Sequence, residues 1–259
     1  MLDLLVITGA SKGIGRSITT NLMDHAKKIV LISSSNSINN IKHKGIKSPK
    51  NFYVIQEDIS NFDAVSKKIA ALDLQINKCN KVGLIFCASQ LGSVGGIFKE
   101  SISEIASIIN INTLGNLNIF QNVAKEINTQ CVLRGIFFAG GGAAYGYPNF
   151  FGYSLSKVSI VRAVENISIE MKEIYKNSSV VALAPGAVAT DMLSKVIASG
   201  GFVKTKTDIS EPVNFVKSFL LDEIDSLNLN GCFLHVRDDF LKNIPSKLSE
   251  NHFKLRRVE

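Results

Sequence analysis

Short, uniformly apolar runs alternate along this chain with longer amphipathic segments. The runs are residues 4–8, 28–33, 52–56, 82–87, 135–139, 180–184 and 232–236. A strand with one wet face alternates apolar and polar side chains, whereas a strand covered on both faces reads as a continuous apolar run. Between the runs, residues 13–23, 63–77, 102–128, 152–175 and 211–221 repeat apolar positions at the helical period. Such alternation predicts an α/β fold built on a doubly wound parallel sheet. No repeat, low-complexity tract or linker interrupts residues 1–259, so a single domain is expected. Residues 192–208 are less regular, and the polar residues 240–259 are read as a C-terminal extension.

The composition narrows the function classes. Hydrophobic residues make up 46% of the 259, ample for a core. No stretch approaches the about 20 apolar residues of a membrane span. The first strand begins close to Met1, which is read as leaving no room for a secretory leader and implies a cytoplasmic protein. The net charge is +7, yet the basic residues are dispersed and not interleaved with aromatics, so no nucleic-acid partner is expected. Cys79, Cys87, Cys131 and Cys232 lack metal-ligand spacing and suit reduced thiols. His25, His43, His235 and His252 form no pattern, and no metal site is expected.

Two motifs carry chemistry. The first is Thr8-Gly9-Ala10-Ser11-Lys12-Gly13-Ile14-Gly15, placed between a strand and a helix. Glycine there permits a tight turn and a close backbone approach to a phosphate at the helix N-terminus. The second is Tyr153 and Lys157, one helical turn apart. A cation beneath a phenol favours the phenolate and lowers a pKa that is otherwise about 10. Such a tyrosine can pass a proton to or from a substrate oxygen.

With its Gly-x-x-x-Gly-x-Gly spacing and its Tyr-x-x-x-Lys pair, the chain resembles the short-chain dehydrogenase/reductase family over about residues 4 to 236. The resemblance implies a Rossmann-type fold and a dinucleotide held by Gly9, Ser11, Lys12, Gly13, Ile14 and Gly15. It places Ser33, followed by Ser34, where members that use NAD carry an acid. With Lys12 in the turn, that points to NADP(H) over NAD. Asp58 and Ile59 match the adenine contact, and Ala88 survives from the family's Asn-Asn-Ala-Gly, here Phe86-Cys87-Ala88-Ser89. Pro185, Gly186, Val188 and Thr190 match the segment beside the nicotinamide, and Tyr153 and Lys157 would also touch the cofactor.

The catalytic group implied is Asn112, Tyr153 and Lys157, with Asn112 supporting a proton relay through a local helix distortion. The family's serine is missing, because Ala139 and Gly140 stand at its place. Backbone N–H groups of Gly140-Gly141-Gly142 could replace it, or Ser89, Gln90, Tyr145 or Tyr147, or turnover could be weak. The triple glycine with Tyr147-Pro148-Asn149-Phe150 resembles a branch associated with cell-surface sugar pathways. The expected activity is therefore NADP(H)-dependent hydride transfer to a carbonyl or from an alcohol, on a keto-sugar or nucleotide-sugar. A cofactor-binding sensor with little turnover and a pterin or aromatic-ketone reductase are the alternatives. Residues 192–208, with Gly200-Gly201 as hinges, match the family's substrate lid. Arg237, Asp238, Asp239, Arg256 and Arg257 line either the substrate mouth or a solvated surface. Pairing of the long helices 102–128 and 152–175, as in other members, implies a homodimer or homotetramer.

Overall fold

The computed structural model describes residues 1–43, 51–201, 203, 205–238 and 255. Its centre is a parallel sheet of seven strands in the order β3-β2-β1-β4-β5-β6-β9. These are β1 (Leu2–Thr8), β2 (Ala26–Ser33), β3 (Phe52–Gln56), β4 (Lys81–Phe86), β5 (Val132–Phe138), β6 (Ser179–Ala184) and β9 (Phe233–His235). The chain starts at β1, winds to the β3 edge, then crosses back to β4 and winds outward the other way. A crevice opens beyond the carboxyl ends of β1 and β4, where the winding reverses.

The continuous apolar strands have the expected cause. Leu4 and Val6 enter one core layer with α2 (Phe62–Ala70), α4 (Asn116–Ala124) and α6 (Phe151–Ile174). Leu5 and Ile7, the alternate positions, enter the other layer with α1 (Gly13–Leu22) and α8 (Ser210–Leu220). Each fully buried large side chain contributes roughly 1.5–3 kcal/mol. In the first layer Phe86 stacks on Phe137 with ring centroids 4.2 Å apart.

An ionic cluster closes the amino ends of β4 and β5. Arg134, buried in β5, donates through Nε to Asp222 Oδ1 at 2.8 Å, and Lys81 pairs with Oδ2. Burial opposes the Asp222 carboxylate, but the hydrogen bonds with Lys81 and Arg134 outweigh it and hold its pKa below the ordinary value.

The helices depart from the predicted bounds at two places. The segment predicted over 63–77 leaves the helix after Ala70, because Lys28 Nζ captures the Leu74 carbonyl at 2.7 Å and Gln75 turns left-handed at φ 48°. The segment predicted as one helix over 102–128 is three pieces. The first, α3 (Ile102–Ile109), begins at a Ser101/Glu104 capping box, continues into a π-helical stretch Asn110–Gly115, and is followed by α4. One further turn, α5 (Gly141–Ala144), lies between β5 and α6. The irregular segment after β6 contains β7 (Ala187–Val188), α7 (Asp191–Ala198) and β8 (Lys206–Thr207).

Candidate active site

A cleft of about 800 Å³ lies in the crevice at the carboxyl end of the sheet. One end is the glycine turn between β1 and α1. A Cβ on Gly9 would sit 2.8 Å from the Ala88 backbone, and Gly9 has φ +64°. A Cβ on Gly15 would sit 2.4 Å from the Gly9 carbonyl oxygen. Backbone therefore packs directly on backbone, and the turn cannot accept side chains at these two positions. Lys12 offers α1 no side-chain cap and the first turn of α1 holds no acid, which leaves the positive end of the helix dipole uncompensated.

Beside the turn, Ser11 Oγ and Ser33 Oγ share a hydrogen bond of 2.8 Å, and the Ser35 N–H donates to Ser33 Oγ. Lys12, Ser34 and Ser35 line this end together with Arg16. Asp58 lines it too, while its Oδ1 accepts from the N–H and hydroxyl of Ser60 at 2.9 and 2.8 Å. Next to it the hydrogen bond from Lys68, with that from Asn61, holds the Glu57 carboxyl near 2.

The other end carries the Tyr-x-x-x-Lys pair on α6. Lys157 is 2% exposed, donates to the Phe138 carbonyl at 2.9 Å and lies 5.3 Å from the centroid of the Tyr153 ring. Both residues line the cleft. The expected lowering of the phenol pKa is overturned here. Burial, reinforced by Tyr147, pushes Tyr153 above its ordinary value, and burial also lowers Lys157 to about 8. Desolvation in this cleft therefore favours the neutral phenol.

Gly140 lies where the missing hydroxyl was expected. A Cβ there would meet one atom within 4 Å, the Tyr153 Oη at 3.3 Å. Its φ of 168° is ordinary extended backbone, so the chain path does not call for glycine. Among the expected stand-ins, Tyr145 is 81% exposed. Ser89 Oγ is buried without a hydrogen-bond partner among the described residues, and it lines the cleft with Gln90. Tyr147 stacks on Phe150, ring centroids 4.8 Å apart, in an apolar wall with Leu91, Val196, Met192 and Tyr153.

Asn112 sits within the π-helical stretch, as a distortion was expected there, but it is fully buried and does not line the cleft. Its Nδ2 donates to the Gln90 carbonyl and to Ser156 Oγ, at 3.0 and 2.9 Å, and its Oδ1 accepts from the Gln90 N–H at 2.8 Å. Asn112 therefore ties the loop after β4 to α6. Gly186 and Val188 also stand behind the lining. Gly186 has φ +72° and lies against Thr207, while Val188 pairs with Thr207 in the small β7–β8 sheet. Pro185 and Thr190 do line the cleft, and Thr190 Oγ1 also caps α7 by accepting from the Leu193 N–H.

Sequence reasoning passed over Asn116, Glu100 and Arg16. Asn116, 1% exposed, accepts from Thr8 Oγ1 at 2.7 Å and donates to the Ala88 and Asn112 carbonyls at 3.0 and 2.9 Å. Its spacing of four from Asn112 was the available signal. Of the expected lid, α7 packs Val196 into the apolar wall, and Gly200-Gly201 terminate that helix, the Gly201 N–H donating to the Val196 carbonyl. Asp238 accepts from the His235 N–H at 2.7 Å and so closes a turn after β9. Asp239, His252, Arg256 and Arg257, and residues 240–259 apart from Leu255, lie outside the described residues. No cluster of metal-ligating side chains and no helix long and apolar enough to cross a membrane occurs among the described residues.

A family model described as short chain dehydrogenase matches residues 3–199. The chain belongs to this family. Among curated relatives, the 3-oxoacyl-[acyl-carrier-protein] reductase MabA of Mycobacterium tuberculosis (strain CDC 1551 / Oshkosh) is 23% identical over 239 residues, 90% of each chain. Among solved structures, ElxO with NADP bound superposes with a TM-score of 0.74 at 20% identity, covering 91% of this chain and 97% of that one. A 4-hydroxyisoleucine dehydrogenase complexed with NADH reaches 0.73 at 18% identity, covering 90% and 96%. These likenesses bear out the expected fold and family. As a short-chain dehydrogenase the protein is an oxidoreductase of CH–OH and C=O groups.

Proposed function

We propose that this short-chain dehydrogenase is an NADP(H)-dependent carbonyl reductase. The carrying observation is the partly buried Tyr153 beside buried Lys157, at the far end of one cleft from the glycine turn. A dinucleotide fits the residues present, because the tightly packed glycine turn at Gly9 and Gly15 lines one end of the cleft beside the uncompensated N-terminus of α1. For the 2′-phosphate, Ser33, Ser34 and Ser35 offer hydroxyls and N–H groups, Lys12 and Arg16 offer charge, and no carboxylate ends β2. When bound, the nicotinamide supplies the hydride. Tyr153 holds the proton destined for the carbonyl oxygen, Lys157 holds positive charge beneath it, and the wall around Leu91 and Phe150 excludes water.

The substrate body lies against Leu91 and Met192, which line the cleft, next to the partly buried Tyr147 ring that stacks on Phe150 behind it. A keto-sugar or nucleotide-sugar suits stacked rings, and so does an aromatic ketone. What supports the aromatic ketone is the apolar group of Leu91, Met192 and Val196 packed with Tyr147 and Tyr153. Ile102, Leu155 and Ile169 are exposed on α3 and α6 and support a homodimer or homotetramer built on those helices. The cysteines suit a reducing cytoplasm.

Fluorescence titration with NADPH and NADH, followed by turnover on keto-sugars, nucleotide-sugars and aromatic ketones, tests this reading. Preferential NADPH binding is expected, with turnover that Tyr153→Phe lowers by about 10²-fold or more. Equal binding of NADH would remove the phosphate argument. Tight binding with no turnover on any carbonyl would leave a cofactor sensor in its place.

A further inference from the structure

We propose that Glu100 is a positioning residue that sets the catalytic helix from a distant loop. This inference rests on the oxidoreductase reading of Tyr153 and Lys157. A helix leaves its first N–H groups without intrahelical partners. The residue before α6, Phe150, has no side chain that could accept from them. Glu100 takes that place from 51 residues away: Oε1 accepts from the Phe151 N–H at 3.0 Å and Oε2 from the Gly152 N–H at 2.9 Å. Its side chain is buried, with 6% of the residue exposed, and it makes no ion pair among the described residues. The positive end of the α6 dipole is thus the charge that faces this carboxylate.

Neighbouring residues are shaped to this contact. A Cβ on Gly152 would lie 2.9 Å from Glu100 Oε2 and 2.8 Å from Ile108 Cδ1, so glycine is what lets the carboxylate reach the helix. The Glu100 N–H donates to the Gly96 carbonyl at 3.0 Å, and the Gly95 N–H donates to the Asn149 carbonyl, also at 3.0 Å. Loop 95–100 is therefore fastened to the turn that leads into α6 as well as to its first two residues. Tyr153 is the third residue of that helix. Any rotation of the first turn displaces the phenol, and a misplacement of about 1 Å can cost about 10²-fold in rate. The same loop begins at Leu91 and Gly92, which line the cleft. One carboxylate thereby fixes the spacing between the substrate wall and the acid.

The test is Glu100→Gln, which keeps the size of the side chain but turns one acceptor into a donor facing an N–H. In the full-length protein we expect NADPH affinity to be unchanged, because the glycine turn is remote from this contact. On the best carbonyl substrate, kcat should fall about tenfold or more with little change in KM. Amides of residues 151–153 should exchange with deuterium about fivefold to tenfold faster. Gly152→Ala, which displaces the carboxylate from the other side, should reproduce both effects. Unchanged kcat and unchanged exchange in Glu100→Gln would overturn the proposal. So would losses that merely follow the folded fraction measured by urea unfolding. If the unaltered protein turns over no carbonyl, the reductase reading fails by itself, and the exchange rates at 151–153 still decide whether Glu100 holds the helix.

Discussion

Replacing Lys157 with methionine should remove a pH dependence of stability that the unaltered protein carries. The ammonium is buried, and its one described hydrogen-bond partner is the Phe138 carbonyl. Burial lowers its pKa from 10.5 to about 8. A tenfold change in proton affinity is worth about 1.4 kcal/mol, so folding around a protonated Lys157 costs about 3 kcal/mol below pH 8. Between pH 8 and 10.5 the unfolded chain holds a proton that the folded chain lacks, so unfolding free energy rises with pH through that window. Methionine has nothing to titrate. Groups common to both proteins cancel, and the orphaned Phe138 carbonyl adds a constant of about 1–3 kcal/mol. Urea unfolding of both proteins, stepped from about pH 7 to about pH 10.5, reads the difference directly. The unaltered protein should gain about 3 kcal/mol on the variant across that range. Parallel curves would refute the claim that desolvation governs this lysine.

Three further perturbations have defined outcomes. Asn116→Ala orphans the Thr8 hydroxyl and the Ala88 and Asn112 carbonyls, so it should cost about 3–5 kcal/mol and weaken NADPH binding. A cost under about 1 kcal/mol by urea unfolding would show that the network relaxes around the loss. Asp222→Ala strips the buried Arg134 of its carboxylate. Because Asp222 itself is partly exposed, the loss should be about 2–3 kcal/mol, and added salt should not restore it. Gly140→Ser adds a side chain that must clear the Tyr153 hydroxyl by only a few tenths of an ångström. Stability should change by less than about 1 kcal/mol, and kcat on simple ketones should rise. A fall in kcat would mean that the substrate itself needs the space beside the phenol.

Much of this architecture could be read from residue patterns, for reasons visible in the strands. Leu4 to Thr8 and Val82 to Phe86 are covered on both faces, so their apolar runs are uninterrupted and easily seen. Gly9, Gly13 and Gly15 were legible because they answer a local steric demand. The break at Ala70 was hidden, and the distortion at Asn110–Gly115 was expected only from the family resemblance, because each is tied to partners distant in the chain. Lys28 captures Leu74, and Asn112 and Asn116 are drawn toward Gln90, Thr8 and Ala88. The same holds for Glu100, whose helix-capping contact spans 51 residues. The Tyr153 phenol was misjudged because helical spacing supplies the neighbouring cation but says nothing of burial, which dominates there. Arg16 went unnoticed because only the folded turn brings it to the cleft.

The π-helical stretch at Asn110–Gly115 makes chain length, and not only residue identity, a condition of the site. A π-turn accommodates an extra residue relative to the α-helix. Deleting one residue there would let the stretch relax into continuous α-helix, and because the π-turn already absorbs that residue, α4 would keep its face toward the core. The α3 contacts with α6 through Ile105 and Ile108 could survive. Ile119, Phe120 and Val123 would stay in the core, while the bulge that brings Asn112 to Gln90 and Ser156 would be gone. A substitution at exposed Leu114 perturbs one position, whereas a deletion beside it would remove the bulge itself. The stretch acts as a length gauge, tolerant of spelling but not of count.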